Sequence, residues 1–198
     1  MKKQPRPDFI GFVFYPRSPR FVSVSHAKTL ASHLPPSIKK VGVIVDSTDD
    51  VISHITDNVP LDYLQCHGYE TTERIAHLKH TFPPRVIKAI RVRTPDDIKA
   101  SKAFEGMADM FLFDAYGGPH AFGGTGKTIE WTWLRALRTA TPWFLSGGLT
   151  PQTIKRAINE SGATYVDVSS GVEKSAGVKD HQAMRQFIRH AHDVDILT

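Results

Sequence analysis

Short apolar runs bounded by turn residues recur along the chain at Phe9 to Phe14, Val41 to Val45, Leu61 to Gln65, Val86 to Val92, Met110 to Phe113, Trp143 to Leu145 and Tyr165 to Val168. Each has the length and composition of a buried strand. Between them lie segments of helical period: Ser25 to His33, Asp49 to Asp57, Thr71 to Phe82, Pro95 to Phe104, Ile129 to Thr139, Pro151 to Ser161 and Asp180 to His192. Thr94-Pro95 and Thr150-Pro151 each put a capping hydroxyl before a proline at the first helical position. Strict strand–helix alternation predicts parallel strands joined by right-handed crossovers.

An open doubly wound sheet and a (β/α)₈ TIM barrel both satisfy that pattern. No glycine-rich turn follows the first strand, as a dinucleotide fold would require, and polar residues close strand after strand: Asp46, His67, Arg91, Asp114, Ser146 and Ser169. A barrel collects its chemistry at the carboxyl ends of its strands, so the expectation is α/β, a (β/α)₈ barrel. Only seven βα units are legible where a closed barrel needs eight. The gap falls at the front, because Met1 to Pro7 carries Pro5 and Pro7, which cannot donate to a ladder, and no helix separates them from the first strand. Residues 1–198 are therefore expected to be one barrel domain lacking its first strand and helix. An open edge between the first and last strands would favour a homodimer.

The totals narrow the partners. No apolar run reaches membrane-spanning length, and no apolar stretch of a secretory signal precedes Asp8, so the expected location is cytoplasmic. Net charge is +5, but Lys and Arg are scattered and the aromatics sit inside apolar strands, which argues against nucleic acid; a solvated surface is the first reading and an anionic small molecule the second. A single cysteine, Cys66, excludes an internal disulfide and any multi-cysteine zinc site. Asn159-Glu160-Ser161 spells a glycosylation triplet but reads as a polar helix end.

Candidate chemistry centres on Phe111 to Trp131. Asp114 ends an apolar strand, where a carboxylate loses hydration and suits general acid or base work. Gly117, Gly118, Gly123 and Gly124 then lead to Thr125-Gly126-Lys127-Thr128, which resembles the close of a P-loop; the required first glycine is Ala121, so the match fails. Two later loops, Leu145-Ser-Gly-Gly-Leu-Thr150 and Asp167-Val-Ser-Ser-Gly-Val-Glu173, have the small residues and free backbone amides of phosphate cradles, with Gly147, Gly148, Ser170 and Gly171 as the candidate ligands. In Tyr63-Leu64-Gln65-Cys66-His67 a period of two puts Gln65 and His67 on one face, toward a barrel mouth, and Cys66 on the other, as a small buried hydrophobe.

Taken together, Gly11-Phe-Val-Phe-Tyr-Pro-Arg-Ser-Pro-Arg-Phe-Val-Ser23, Val41-Gly-Val-Ile-Val-Asp46, Leu64-Gln-Cys-His-Gly68, Phe113-Asp114, Gly123-Gly-Thr-Gly-Lys127, Leu145-Ser-Gly-Gly-Leu149 and Asp167-Val-Ser-Ser-Gly-Val-Glu173 closely resemble phosphoribosylanthranilate isomerase, of tryptophan biosynthesis. The resemblance runs from about Phe9 to Phe187. It implies an Amadori rearrangement of a phosphorylated small molecule, with no metal and no cofactor, in which Asp114 is the general acid and Arg20 holds the anthranilate carboxylate. It also implies a general-base cysteine in a first strand of the type Lys-Ile-Cys-Gly, which this sequence does not show; Cys66 faces the wrong way to replace it, and His67 is the best candidate for partial replacement. An isomerase impaired by the missing base is the leading expectation. A different barrel enzyme for a phosphorylated substrate, or a non-catalytic relative that binds a phosphorylated ligand or a pathway partner, are the alternatives.

Overall fold

A computed structural model describes residues 6–118, 126 and 128–194. Seven strands form one sheet in sequential order: β1 (Phe9–Val13), β2 (Lys39–Ile44), β3 (Tyr63–Cys66), β4 (Arg85–Val92), β5 (Met110–Ala115), β6 (Trp143–Leu145) and β7 (Tyr165–Val166). Helices α1 (Val24–Ser32), α2 (Asp49–Asn58), α3 (Thr72–Thr81), α4 (Pro95–Ala100), α5 (Thr132–Arg135), α6 (Ile154–Ser161) and α7 (His181–His192) follow the strands in turn. Parallel pairing joins β1 to β2, β2 to β3, β3 to β4, β5 to β6 and β6 to β7. The strand–helix alternation read from the pattern is therefore the observed one. Its last connection holds a small antiparallel hairpin that the pattern did not announce, β8 (Glu173–Ser175) with β9 (Val178–Lys179).

Two compact units divide the chain, one of Pro7–Ala89 with Ala103–Met110, the other containing Ile90–Lys102 and the chain from Phe111 onward. In the first, Val41 and Ile44 of β2 and Leu64 of β3 are buried, as are Ile52 and Ile55 of α2 and Ile75 and Leu78 of α3. Acids just ahead of two strands tie neighbouring strand starts together: Asp62 Oδ2 accepts the Lys40 N–H at 2.8 Å and Asp109 Oδ2 accepts the Val86 N–H at 2.8 Å. Lysines from the same edge, Lys39 and Lys79, lie 3.2 and 3.0 Å from these carboxylates. In the second unit Phe111 to Ala115 of β5 are all buried, and Phe113 stands edge-on to both Phe111 and Trp143, with centroids 6.1 and 5.7 Å apart.

Helix starts follow their capping chemistry. Ser23 accepts from His26 N–H at the head of α1 and Thr71 from Arg74 N–H at the head of α3. Asp97 Oδ2 closes α4 by accepting from Thr94 N–H at 2.8 Å, with Pro95 at the first helical position. The expected start at Thr150-Pro151 differs: the α-helix begins at Ile154, because Thr150 N–H donates to Thr153 Oγ1 at 3.0 Å and holds a separate turn first. The helix expected over Ile129 to Thr139 shrinks to four residues. Its flanks form i→i−3 bonds, Leu134 N–H to Trp131 O and Leu137 N–H to Leu134 O, and Thr141 precedes Pro142, which disfavours helical backbone. Among the described residues no helix is long and apolar enough to cross a membrane.

Phe111 is fully buried. Phe111→Ala should lower the unfolding free energy by about 3–5 kcal/mol, as large-to-small changes at packed aromatic sites do, read as a shift in the urea midpoint at unchanged slope.

Candidate active site

In the first unit the expected alternation of faces at the end of β3 holds. Gln65 and His67 are both buried and meet each other, Gln65 Nε2 lying 3.0 Å from His67 Nδ1. With the amide N–H as donor, Nδ1 is the acceptor and the ring proton sits on Nε2. Cys66, between them, has no exposure, and burial, with the Glu70 charge adding to it, pushes its thiol up, away from thiolate chemistry.

The loop that carries His67 is fixed by a buried ion pair. Lys88 Nζ of β4 lies 2.7 Å from Glu70 Oε2 and donates to Gly68 O at 2.9 Å, while Glu70 Oε1 accepts from Asp46 N–H at 3.0 Å and Gly68 N–H at 3.1 Å. Burial alone would push the Glu70 carboxyl up; the Lys88 charge, the Lys88 hydrogen bond and the Asp46 amide outweigh it and hold the group below the usual carboxylate range. Asp46 has left-handed backbone, φ 46°, and its carboxylate accepts from Tyr69 N–H at 2.7 Å. A side chain at Gly68 would run into that carboxylate, so glycine is required there. Arg20, half-buried in the β1–α1 loop, belongs to the same unit; its N–H donates to Ser18 Oγ at 3.1 Å, just after the turn Tyr15 to Ser18.

In the second unit Asp114 is 3% exposed at the end of β5. Beside it, Gly147 takes φ 89°, and a Cβ there would stand 2.5 Å from Ala115 N and 3.0 Å from Asp114 Oδ1. The loop after β6 thus passes against the acid only because residue 147 has no side chain. Ser146 N–H donates to Phe113 O at 2.8 Å, and Ser146 Oγ donates to Asp167 Oδ2 at 3.0 Å, linking the ends of β5, β6 and β7. A Cβ on Gly171 would overlap the Leu149 carbonyl, so the two candidate phosphate loops are in direct contact. The structure therefore brings Asp114 together with Gly147, and the Gly147-Gly148-Leu149 loop together with Ser170-Gly171. The Gly123 to Lys127 stretch falls almost wholly outside the described residues, of which only Gly126 lies within it. Among the described residues no group of three His, Cys, Asp or Glu side chains could hold a metal ion.

A βα-repeat enzyme with a buried carboxylic acid and two small-residue loops at its strand ends is the class that these features define. Residues 1–190 match the family model described as N-(5'phosphoribosyl)anthranilate (PRA) isomerase, and the chain belongs to that family. It is 41% identical over 185 residues to the N-(5'-phosphoribosyl)anthranilate isomerase of Paracoccus denitrificans, covering 92% of this chain and 86% of the relative. The solved phosphoribosyl anthranilate isomerase of Thermotoga maritima superposes with a TM-score of 0.84 at 34% identity, over 94% of this chain and 89% of that one. A solved isomerase in complex with reduced 1-(o-carboxyphenylamino)-1-deoxyribulose 5-phosphate matches with a TM-score of 0.78 at 31% identity, over 94% and 88% of the two chains. The fold is accordingly the TIM-barrel-like α/β fold of this family.

Two features of the site escaped the pattern of the sequence. The Glu70–Lys88 pair had one signal, a lysine inside the apolar run Val86 to Val92. The fit of Gly147 against Asp114 had none, since a glycine before a helix is also an ordinary turn residue. Gly147→Ala should cost about 10² in kcat/KM by displacing the acid. Gly162→Ala, at φ 74° with open space around it, should lower stability by about 1–3 kcal/mol through backbone strain alone and leave turnover intact.

Cys66 yields a pH prediction. Its folded pKa is raised, so its contribution to stability is fully present below the unfolded thiol pKa and is lost as pH rises above it. Between about pH 8.5 and 10 this group should remove about 1–2 kcal/mol of stability, and Cys66→Ala should flatten that part of a urea-unfolding profile.

Proposed function

We propose that this chain is an aldose–ketose isomerase that converts N-(5'-phosphoribosyl)anthranilate to 1-(2-carboxyphenylamino)-1-deoxyribulose 5-phosphate, a step of tryptophan biosynthesis. The observation that carries the proposal is Asp114, buried at the end of β5 with the Gly147 backbone packed against its carboxylate, in a chain of the isomerase family. Asp114 protonates the ribose ring oxygen as the C1′–O bond breaks, and the anilino nitrogen lone pair forms the Schiff base. A base then removes the C2′ proton, the electron pair moves toward nitrogen, and the resulting enolamine tautomerises to the ketose.

Arg20 holds the anthranilate carboxylate, for which a forked guanidinium is suited. Gln65 and His67, hydrogen-bonded to each other at the end of β3, contact the substrate. The backbone N–H groups of Gly147, Gly148, Ser170 and Gly171 bind the phosphate, close to the start of α6. No step of this route needs a metal or a cofactor.

In this proposal the two units are parts of one barrel domain working in the cytoplasm, and the seven βα units stand as the second to eighth of the family's eight. The general base in this proposal is a cysteine that the resemblance assigns to the family's first strand, and residues 1–198 contain no cysteine other than Cys66. Cys66 is unsuited to that role because it is buried and its thiol is held protonated.

Asp114→Asn should reduce kcat by about 10²–10⁴, the usual worth of a positioned general acid. Placing a family-type first strand and helix, with its cysteine, ahead of residue 1 should raise turnover by a similar factor, about 10²–10⁴, and Cys→Ser in the added strand should abolish the gain. Undiminished turnover of N-(5'-phosphoribosyl)anthranilate by Asp114→Asn would sink the assignment.

A further inference from the structure

The hairpin β8–β9 has no place in the reaction as described, yet its last residue reaches back into the loop after β7. Lys179 Nζ donates to Ser169 O at 2.9 Å and to Ser169 Oγ at 3.4 Å, and lies 2.9 Å from Glu173 Oε1. The Glu173 side chain is 4% exposed, so the lysine charge is balanced by a buried carboxylate and is not the free cation that a phosphate would recruit. The next residue extends the tie: Asp180 N–H donates to Val172 O at 2.8 Å, and Asp180 Oδ1 caps α7 through the N–H groups of Gln182 and Ala183. Gly177, φ 81°, allows the tight turn that brings β9 back.

A trans peptide is planar, and its C=O and N–H point in opposite directions. Fixing the Ser169 carbonyl on Lys179 therefore aims the Ser170 N–H away from Lys179. A loop of three 3₁₀ residues, Ser170–Val172, has few internal bonds to set that direction by itself; Val172 N–H reaches Ser169 O only at 3.5 Å. Since Gly171 abuts the Leu149 carbonyl, a rotation of the 169–170 peptide would also press on the loop of Gly147 and Gly148.

We propose that Lys179 is a positioning residue of the phosphate subsite: paired with Glu173, it orients the Ser169–Ser170 peptide so that the Ser170 amide donates to the substrate phosphate. This rests on the phosphate assignment to Gly147, Gly148, Ser170 and Gly171 made above.

The test is a titration of the full chain with inorganic phosphate, following backbone amide NMR shifts, for the unaltered protein, Lys179→Met, Lys179→Gln and Lys179→Arg, with thermal midpoints measured alongside. Saturable shifts at Ser170, Gly171 and Gly148 are expected in the unaltered protein. Lys179→Met and Lys179→Gln should weaken phosphate by about ten- to a hundredfold, the effect of losing one aligned hydrogen bond to a charged group, and KM for the phosphorylated substrate should rise by the same factor. Lys179→Arg should recover most of the affinity. If the unaltered protein shows no shifts at these amides, the phosphate assignment fails. If it shows them and either folded neutral variant binds phosphate with unchanged affinity, the role of Lys179 is overturned.

Discussion

Parallel strands that pair in register deliver their carboxyl ends to one edge, and that constraint governs where this chain can place chemistry. Each strand leaves the sheet with backbone groups that the ladder no longer satisfies, and the residues that satisfy them are the residues of the site. Ser146 N–H is taken by Phe113 O, Asp167 N–H by Leu145 O and His67 N–H by Ile44 O. The backbone at Ser146, Asp167 and His67 is thereby fixed at strand ends before any ligand is present.

Two buried carboxylates show how differently the same constraint is met. Glu70 is neutralised by Lys88 and loaded with two backbone amides, so its charge is spent on holding the turn that carries His67. Removing either partner would leave an uncompensated buried charge, which is far more costly than replacing both. Asp114 has instead been given a neighbour without a side chain, Gly147, whose backbone closes over it. One arrangement fixes a loop, and the other shapes the surroundings of the proposed acid.

Much of this was legible because it depends on periodicity. The seven strands and the opposition of Gln65 and His67 to Cys66 follow from burial of alternate or consecutive positions, which any one stretch of chain displays by itself. What was not legible depends on partners distant in sequence. Lys88 in an apolar strand is explained only by Glu70, eighteen residues away. The hairpin β8–β9 is short and largely polar, Glu-Lys-Ser paired with Val-Lys, and no apolar pattern marks it. The region before β6 has the apolar spacing of a full helix, with Ile129, Trp131 and Leu134 buried, but the i→i−3 bonding and Pro142 stop it short.

The same distinction bears on the two loops proposed to hold the phosphate, which offer little side-chain chemistry. Gly147, Gly148 and Gly171 contribute only backbone, so their geometry must be imposed from outside: by Asp114 and Ala115 on one loop, and by Leu149 and the β8–β9 hairpin on the other. A backbone cradle of this kind tolerates changes in its own side chains poorly when they add a Cβ, and it is sensitive to residues that never touch the ligand. In the proposed function, the packing of the two loops against each other, and of the Gly147 loop against Asp114 and Ala115, couples the grip on the phosphate to the placement of Asp114.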